Sequence, residues 1–316
     1  MHEISVIMPV YNTQRFLNKS IRSLLKQSFT DFELILVNDG STDHSLLYCK
    51  ALAAVDGRVR VLDFPHIGVA AARAEAVSAA KGKYIGFMDS DDLVEPEYLE
   101  HLHTTIEEND ADLSMCHYVY EYAHASKNGK YHYDNGTYSG EALETLKKTH
   151  LLFDTDKHFP GISLFLWDKL FRKELISANL KYMDRTVARA TDNLLALSCF
   201  LDSRRVSIID SYDYHYCVRE DSLVGSTNRV LFDETARYRE LLKKILREKG
   251  YPGLEYKADT LSVYRLLGLK TVFSEREVPS LDDELKQMLL RQSEEEGCPQ
   301  WAEALREVKA FYLSQT

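Results

Sequence analysis

A parallel, doubly wound α/β sheet is the fold class this chain predicts, on three observations. Strand-like apolar runs alternate with helix-periodic segments through the first ~90 residues, the rhythm of βα units with right-handed crossovers. Two of those runs empty into polar turns, Asn38-Asp39-Gly40 and Asp89-Ser90-Asp91-Asp92, and ligands bind at the strand ends of open α/β sheets. A length of 316 residues, with 45% hydrophobic and 28% charged, suffices for one large domain or a domain with an appendage.

The elements follow in order. Residues 4–10 read as a buried strand, and Leu17, Ile21, Leu24 and Leu25 recur at helical spacing. Residues 32–37 are a second apolar run. The turn after it, Asn38 through Asp43, has helix-start chemistry, with Ser41, Thr42 and Asp43 expected as caps. A helix then runs to about Val55, and residues 58–62 alternate like a short strand. Residues 68–80 are alanine-rich and predict a tightly packed helix. Residues 84–88 are the strand that delivers the acidic turn, and 95–108 a helix with Pro96 in its first turn. Strands at 113–122 and 130–133 flank Asn128-Gly129, a hairpin dipeptide. Tyr118, Tyr120 and Tyr122 share one face of that ribbon and are expected to pack over the core, with a sugar-stacking wall as the alternative. Residues 141–200 read as helical material, including 167–170 and 191–194. A strand at 205–210 and a polar run over 213–222 come next. From about residue 230 the chain reads as wholly helical.

Composition excludes several classes. A net charge of −10, a pI near 5.6 and the lack of a basic block argue against a nucleic-acid partner. The five cysteines are scattered, none in a Cys-x-x-Cys pair, so reduced thiols are expected rather than a zinc site or a disulfide framework. Nothing approaches the roughly 18 uninterrupted apolar residues of a membrane span. Met1-His2-Glu3 leads straight into a strand-like run, so no secretory signal is expected. A cytoplasmic protein is expected, with peripheral contact at the inner face of a membrane as a variant.

The acidic turn carries the most chemistry. Two carboxylates one residue apart can address a small hard cation together with a polyhydroxylated ligand. Magnesium and manganese favour such oxygen donors and keep waters and substrate phosphates in the rest of their shell. Together with Pro9-Val10-Tyr11-Asn12, Asn38-Asp39-Gly40-Ser41-Thr42-Asp43, Ala72-Arg73 and Ala80-Lys81-Gly82-Lys83-Tyr84-Ile85, the turn Asp89-Ser90-Asp91-Asp92 resembles the inverting family 2 glycosyltransferases of GT-A fold. The match is dense over 3–100, sparse over 160–222 and absent beyond about 230.

The resemblance implies a nucleotide-diphospho-sugar-transferase-like GT-A domain over residues 1–229, with a C-terminal helical region over 230–316. Residues 1–100 would bind the nucleotide sugar and 101–229 form the acceptor and catalytic part. Donor contacts are implied for Pro9, which ends the first strand, and for Tyr11, a plate on which a nucleobase stacks. Asp39 would accept the uracil N3 proton, Arg73 would face the nucleotide pocket, and Asp89 would take the ribose hydroxyls. Asp91 would ligate Mn2+ or Mg2+ bridging the two phosphates, while Asp92 holds the turn. The family follows the arginine with Asn and, two positions later, Gly, where this chain has Ala74 and Ala76.

An inverting transfer also needs a general base opposite the leaving nucleotide. Asp192, in Thr191-Asp192-Asn193-Leu194-Leu195, matches it, with Thr191 where the family usually has Glu; the other reading of Asp192 is an acidic first-turn residue. Arg219 and Ser222 fit a loop that closes over the diphosphate, and His215 is a minor candidate metal ligand. Trp167 and Lys169 match a segment that lines the acceptor side, with core packing as the alternative for the tryptophan.

The expected function is metal-dependent transfer, with inversion, of a sugar from a nucleoside diphosphate donor, most naturally a UDP-sugar. The acceptor is a hydroxyl on a glycan, a lipid-linked or a protein-linked molecule, in surface polysaccharide or glycoconjugate synthesis. A non-catalytic nucleotide-sugar binder or assembly subunit is the alternative that Thr191 and Ala74 keep open. A nucleotidyltransferase wants a Gly-rich basic loop where this chain has Tyr11-Asn12-Thr13-Gln14. In the tail, Tyr238, Leu241, Leu242, Ile245 and Leu246 form one apolar stripe and Trp301, Leu305, Val308 and Tyr312 another. A small helical subdomain on the catalytic domain is expected, with a homodimer through these helices as the alternative. Glu294-Glu295-Glu296 disfavours docking on anionic lipid.

Overall fold

The computed structural model describes residues 2–129, 133–154, 159–184, 186–187, 190–219 and 230–262. The chain runs β1 (Ile4–Val10), α1 (Gln14–Leu25), β2 (Phe32–Asp39), α2 (Ser45–Ala53), β3 (Val59–Phe64), α3 (Val69–Ala79), β4 (Tyr84–Phe87), β5 (Leu93–Val94) and α4 (Tyr98–Glu108). Then come β6 (Leu113–Tyr122), β7 (Ala125–Asn128), β8 (Gly136–Ser139), α5 (Gly140–His150), β9 (Phe153–Asp154) and β10 (Phe159–Pro160). β11 (Lys169–Arg172), α6 (Lys173–Asn179), α7 (Thr191–Asp202), β12 (Arg205–Cys217) and α8 (Val230–Glu248) follow.

The first four strands are parallel in the order β3-β2-β1-β4, the half of a doubly wound sheet that the sequence predicts. Every residue of β2 and β4 is buried, as strands covered on both faces are. α1 buries Leu17, Ser20, Ile21 and Leu24, one stripe at helical period. α3 buries Ala70, Ala71, Ala72, Arg73, Ala76 and Val77, small residues that let a helix lie close. Its exit turn crosses β1 so tightly that a Cβ on Gly82 would lie 2.5 Å from the Ser5 amide nitrogen. Beyond β4 the main sheet continues β11-β6-β12-β5, with β11 antiparallel to both neighbours and β6 parallel to β12.

Several expectations change. Residues 169–172 form a strand, not a helix, because the four residues Lys169-Leu170-Phe171-Arg172 carry too little periodicity to choose. The polar run from Asp213 to Cys217 belongs to β12, a strand of 13 residues whose polar side chains find partners across the sheet. His215 sets its two ring nitrogens 2.8 Å from Glu95 and 2.8 Å from Glu121. Both ring nitrogens are thus engaged by carboxylates. The ribbon turns at Ala123 and His124 rather than at Asn128-Gly129, and the Gly129 N–H instead donates to the Tyr118 carbonyl at 2.8 Å. Helix α4 starts after Pro96 rather than around it.

The chain divides into two compact units, Met1–Thr145 with Leu164–Glu220 and Leu146–Ser163 with Asp221–Thr316. In the second unit Arg239 and Lys243 reach Asp259 at 2.6 and 2.7 Å. The α8 stripe of Tyr238, Leu242, Ile245 and Leu246 is buried and Leu241 half-buried, so it presents no exposed patch. The second predicted stripe, Trp301 to Tyr312, lies outside the described residues. Among the described residues no helix is long and apolar enough to cross a membrane.

One buried carboxylate ties the first unit together. Glu33 accepts from the Ser5 hydroxyl (2.7 Å), the Arg60 guanidinium (2.5 Å) and the Lys81 N–H (2.7 Å). Burial alone would raise its pKa, but the bonds from Ser5, Arg60 and Lys81 outweigh burial and hold it below the usual carboxylate value. Stability from this group is therefore present above about pH 4.5 and lost as pH falls through the lowered value. Glu33→Gln is expected to cost about 2 kcal/mol at neutral pH. In denaturant titrations the gap from wild type should close as pH falls below about 4.5, through the lowered value.

Candidate active site

The site lies at the carboxyl ends of β1, β2 and β4. The chain leaves β1 at Asn12, whose φ of +53° turns it sharply. Asn12 Oδ1 accepts the Thr42 N–H at 2.8 Å, and the Asn12 N–H donates to Ser41 Oγ at 3.1 Å. Gln14 and Asp43 exchange similar bonds with the facing loop. Ser41 and Thr42 thus lace the β1–α1 and β2–α2 loops together rather than capping α2, which begins behind His44 without a side-chain cap. This crosslinked platform carries Tyr11, 47% exposed, and Asp39, which is buried. Asp39 Oδ1 accepts the Ile67 N–H at 2.6 Å, and the Gly68 N–H reaches both carboxylate oxygens at 3.1–3.2 Å. Pro9 lies one residue before the end of β1, paired with Val37 of β2.

The acidic turn follows β4, and its three carboxylates have three environments. Asp89 accepts from Arg73 at 2.9 Å, and Arg73 is buried in α3 with its Nε–H unpartnered. Asp91 is ion-paired with the Arg219 guanidinium, which also lies 4.3 Å over the Phe16 ring and whose buried Nε–H likewise has no partner. Asp92 is fully buried, accepting the Cys217 N–H at 2.8 Å and the Tyr214 hydroxyl at 2.7 Å. Burial, with the charge of Asp89 beside it, raises the Asp92 pKa well above the usual range. Asp92 is an anchor for the turn.

Tyr214 is the residue that sequence reasoning missed. Its hydroxyl donates to Asp92 and accepts the Asp89 N–H at 3.1 Å, so one buried phenol fixes both ends of the turn. Burial, then the charges of Asp92 and Asp89, raise its pKa well above the usual phenol value. Trp167 stacks on the Tyr214 ring at 4.3 Å and on Phe165 at 4.7 Å. Trp167 and Lys169 are 3% and 1% exposed, so neither presents a surface to an acceptor. Lys169 is instead neutralised inside the protein, its ammonium 2.5 Å from Asp168 and 2.8 Å from the Phe165 carbonyl. The alternation of Tyr214 and Tyr216 at strand period was the signal for this wall, whereas a register shift sets Tyr212 against His117.

Asp192 sits half-buried in the first turn of α7. Tyr216 connects it to the acidic turn: burial, and then the charges of Asp92, Asp89, Tyr120 and Asp192, push its hydroxyl up to about 12. The structure therefore brings together Tyr11, Asp39, Arg73, Asp89, Asp91 and Arg219, with Asp192 within electrostatic reach of the same tyrosine wall. Ser222 lies outside the described residues.

The donor set fits a hard divalent cation. Asp91, its side chain 19% exposed, offers carboxylate oxygens at a strand end and already holds a positive group, the Arg219 guanidinium. Among the described residues a group of three potential ligands, Glu3, His103 and Glu107, lies at the other end of β1. There the Lys83 ammonium and the Tyr84 hydroxyl already engage Glu107.

This fold and site define a family. The profile described as Glycosyl transferase family 2 matches residues 5–171, more than half of the chain, and the chain belongs to that family. It is 33% identical over 236 residues to the glycosyltransferase EpsJ of Bacillus subtilis, covering 73% of this chain and 65% of EpsJ. It is 28% identical over 304 residues to the glycosyltransferase GlyA of Streptococcus pneumoniae, covering 92% of this chain and 41% of GlyA. The chain thus spans less than two thirds of either relative. S. aureus TarS 1–349 in complex with UDP-GlcNAc superposes with a TM-score of 0.66 at 22% identity, over 98% of this chain and 80% of TarS 1–349. The architecture is the GT-A α/β fold with C-terminal helices.

Proposed function

We propose that this chain transfers a sugar, with inversion, from a UDP-sugar to a hydroxyl acceptor, with the help of a divalent cation, in building a surface polysaccharide or glycoconjugate. The observation that carries the reading is the convergence at three adjacent strand ends of an exposed aromatic plate, a buried carboxylate, and an acidic turn flanked by two arginines. Tyr11 and Asp39 suit a base with an N–H beside a flat ring. Asp89, held by Arg73, suits ribose hydroxyls. The unpartnered Nε–H groups of Arg73 and Arg219 are what an anionic diphosphate would satisfy. The UDP-GlcNAc complex of TarS supports a uridine-linked donor on this fold.

Mn2+ or Mg2+ held by Asp91 would supply positive charge against the departing diphosphate. To admit it, Arg219 has to leave Asp91, which frees its guanidinium fork for phosphate oxygens. Asp192 would take the proton from the acceptor hydroxyl. Its place in the first turn of α7 suits a carboxylate, since the helix N-terminus favours negative charge.

Incubation with a panel of nucleoside diphosphate sugars, followed by assay of free nucleoside diphosphate, tests the reading. Release from UDP-sugars, faster with acceptor present, is expected. Tight donor binding with no release under any condition would favour the non-catalytic binder that Thr191 in place of Glu leaves open.

A further inference from the structure

His66 makes, within the protein, the two contacts that the proposed reading assigns to uracil. Its ring stacks on Tyr11, with centroids 4.6 Å apart and planes at 27°. Its Nδ1 lies 3.0 Å from the Asp39 carbonyl and 3.3 Å from Asp39 Oδ2. Both atoms are acceptors, so Nδ1 carries a proton and presents Asp39 with an N–H at the edge of a flat ring. We infer that His66 is a stand-in for the nucleobase, occupying the base slot in the ligand-free protein and leaving it when the donor binds. The inference rests on the uridine reading of this site.

Core packing does not account for this placement. The His66 side chain is 62% exposed, and its φ of +28° is one that a side-chain-bearing residue rarely adopts. The surrounding turn is shaped to hold it there. Gly40 has a φ of +73°, and a Cβ on it would lie 2.6 Å from the His66 amide nitrogen, so only glycine lets the β2 turn pass under His66. The next two amides, of Ile67 and Gly68, bind the Asp39 carboxylate, so the base-reading carboxylate and its internal ligand share one loop. Only one ring fits against that face of Tyr11 at a stacking distance. A base that stacks there and reaches Asp39 must displace the imidazole from both contacts at once, which lowers the apparent affinity by the fraction of time the slot is self-filled.

Calorimetry of uridine and of UDP with Mn2+, on the full chain and on His66→Gly and His66→Ala, tests this. Glycine tolerates the left-handed backbone, and thermal unfolding verifies that each variant is folded. Both ligands should bind both variants about three- to tenfold tighter than wild type, by the same factor, because the change is confined to the base end. Unchanged or weakened affinity in both variants would overturn the inference. If Tyr11→Ala and Asp39→Ala weaken uridine binding while the His66 variants leave it unchanged, the base reading stands and His66 is merely a neighbour. If wild type binds UDP yet Tyr11→Ala and Asp39→Ala bind it equally well, the base reading falls and takes this inference with it.

Discussion

Asp192→Asn leaves donor binding nearly intact and lowers sugar transfer by about 10²-fold or more, the usual scale for loss of a general base. The amide keeps the shape and the helix position but cannot take a proton from the acceptor. The expected signature is a fall in kcat with little change in donor KM, because the base acts on the acceptor side. Steady-state kinetics with saturating acceptor reads it directly. Near-normal turnover would place the base elsewhere. Asp168, the next carboxylate in the sequence neighbourhood of the acceptor segment, is fully buried and paired with Lys169, so it offers no ready replacement.

Asp91→Ala abolishes the effect of metal on nucleotide binding. Asp89 is engaged by Arg73 and Asp92 is buried in the anchor to Tyr214 and Cys217, which leaves Asp91, paired with Arg219, as the carboxylate for the metal. UDP affinity in Mn2+ should then fall to the value seen in EDTA. Arg219→Ala separates the two halves of the same contact. The metal alone should bind it more tightly, since the guanidinium no longer competes for Asp91, whereas UDP in the presence of metal should bind more weakly for want of a phosphate partner. Retained metal dependence in Asp91→Ala would remove the metal role from the turn.

The first half of the fold was legible because its signals are local. Continuous apolar runs, helical spacing in Leu17-Ile21-Leu24 and the alanine run in α3 each point to one element and agree with their neighbours. The second half was not, because its strands are defined by pairing. Lys169–Arg172 carries no period of its own and is a strand only because β4 and β6 flank it. The polar residues of β12 looked like a loop until Glu95, Glu121 and Asp92 were placed opposite them.

The site divides along the same line. Tyr11, Asp39, Asp89 and Asp91 stand at strand ends that the sequence locates, so their neighbourhood followed from the topology. Tyr214 could not be found that way, since its hydroxyl meets an acidic turn more than a hundred residues earlier in the chain. Trp167 and Lys169 were expected to face an acceptor, and their burial reflects an aromatic stack and an internal ion pair that no linear spacing reveals. Arg219 is paired with the very carboxylate expected to hold the metal, a contact visible only once both strand ends are in place.

The measurement that bears most directly on the account is calorimetric titration of UDP into the wild-type chain, first with Mn2+ and then with EDTA. Binding about tenfold or more tighter with the metal is expected, because Asp91 alone supplies few ligands and the two phosphates must complete the shell. Equal affinity under both conditions would contradict the metal role.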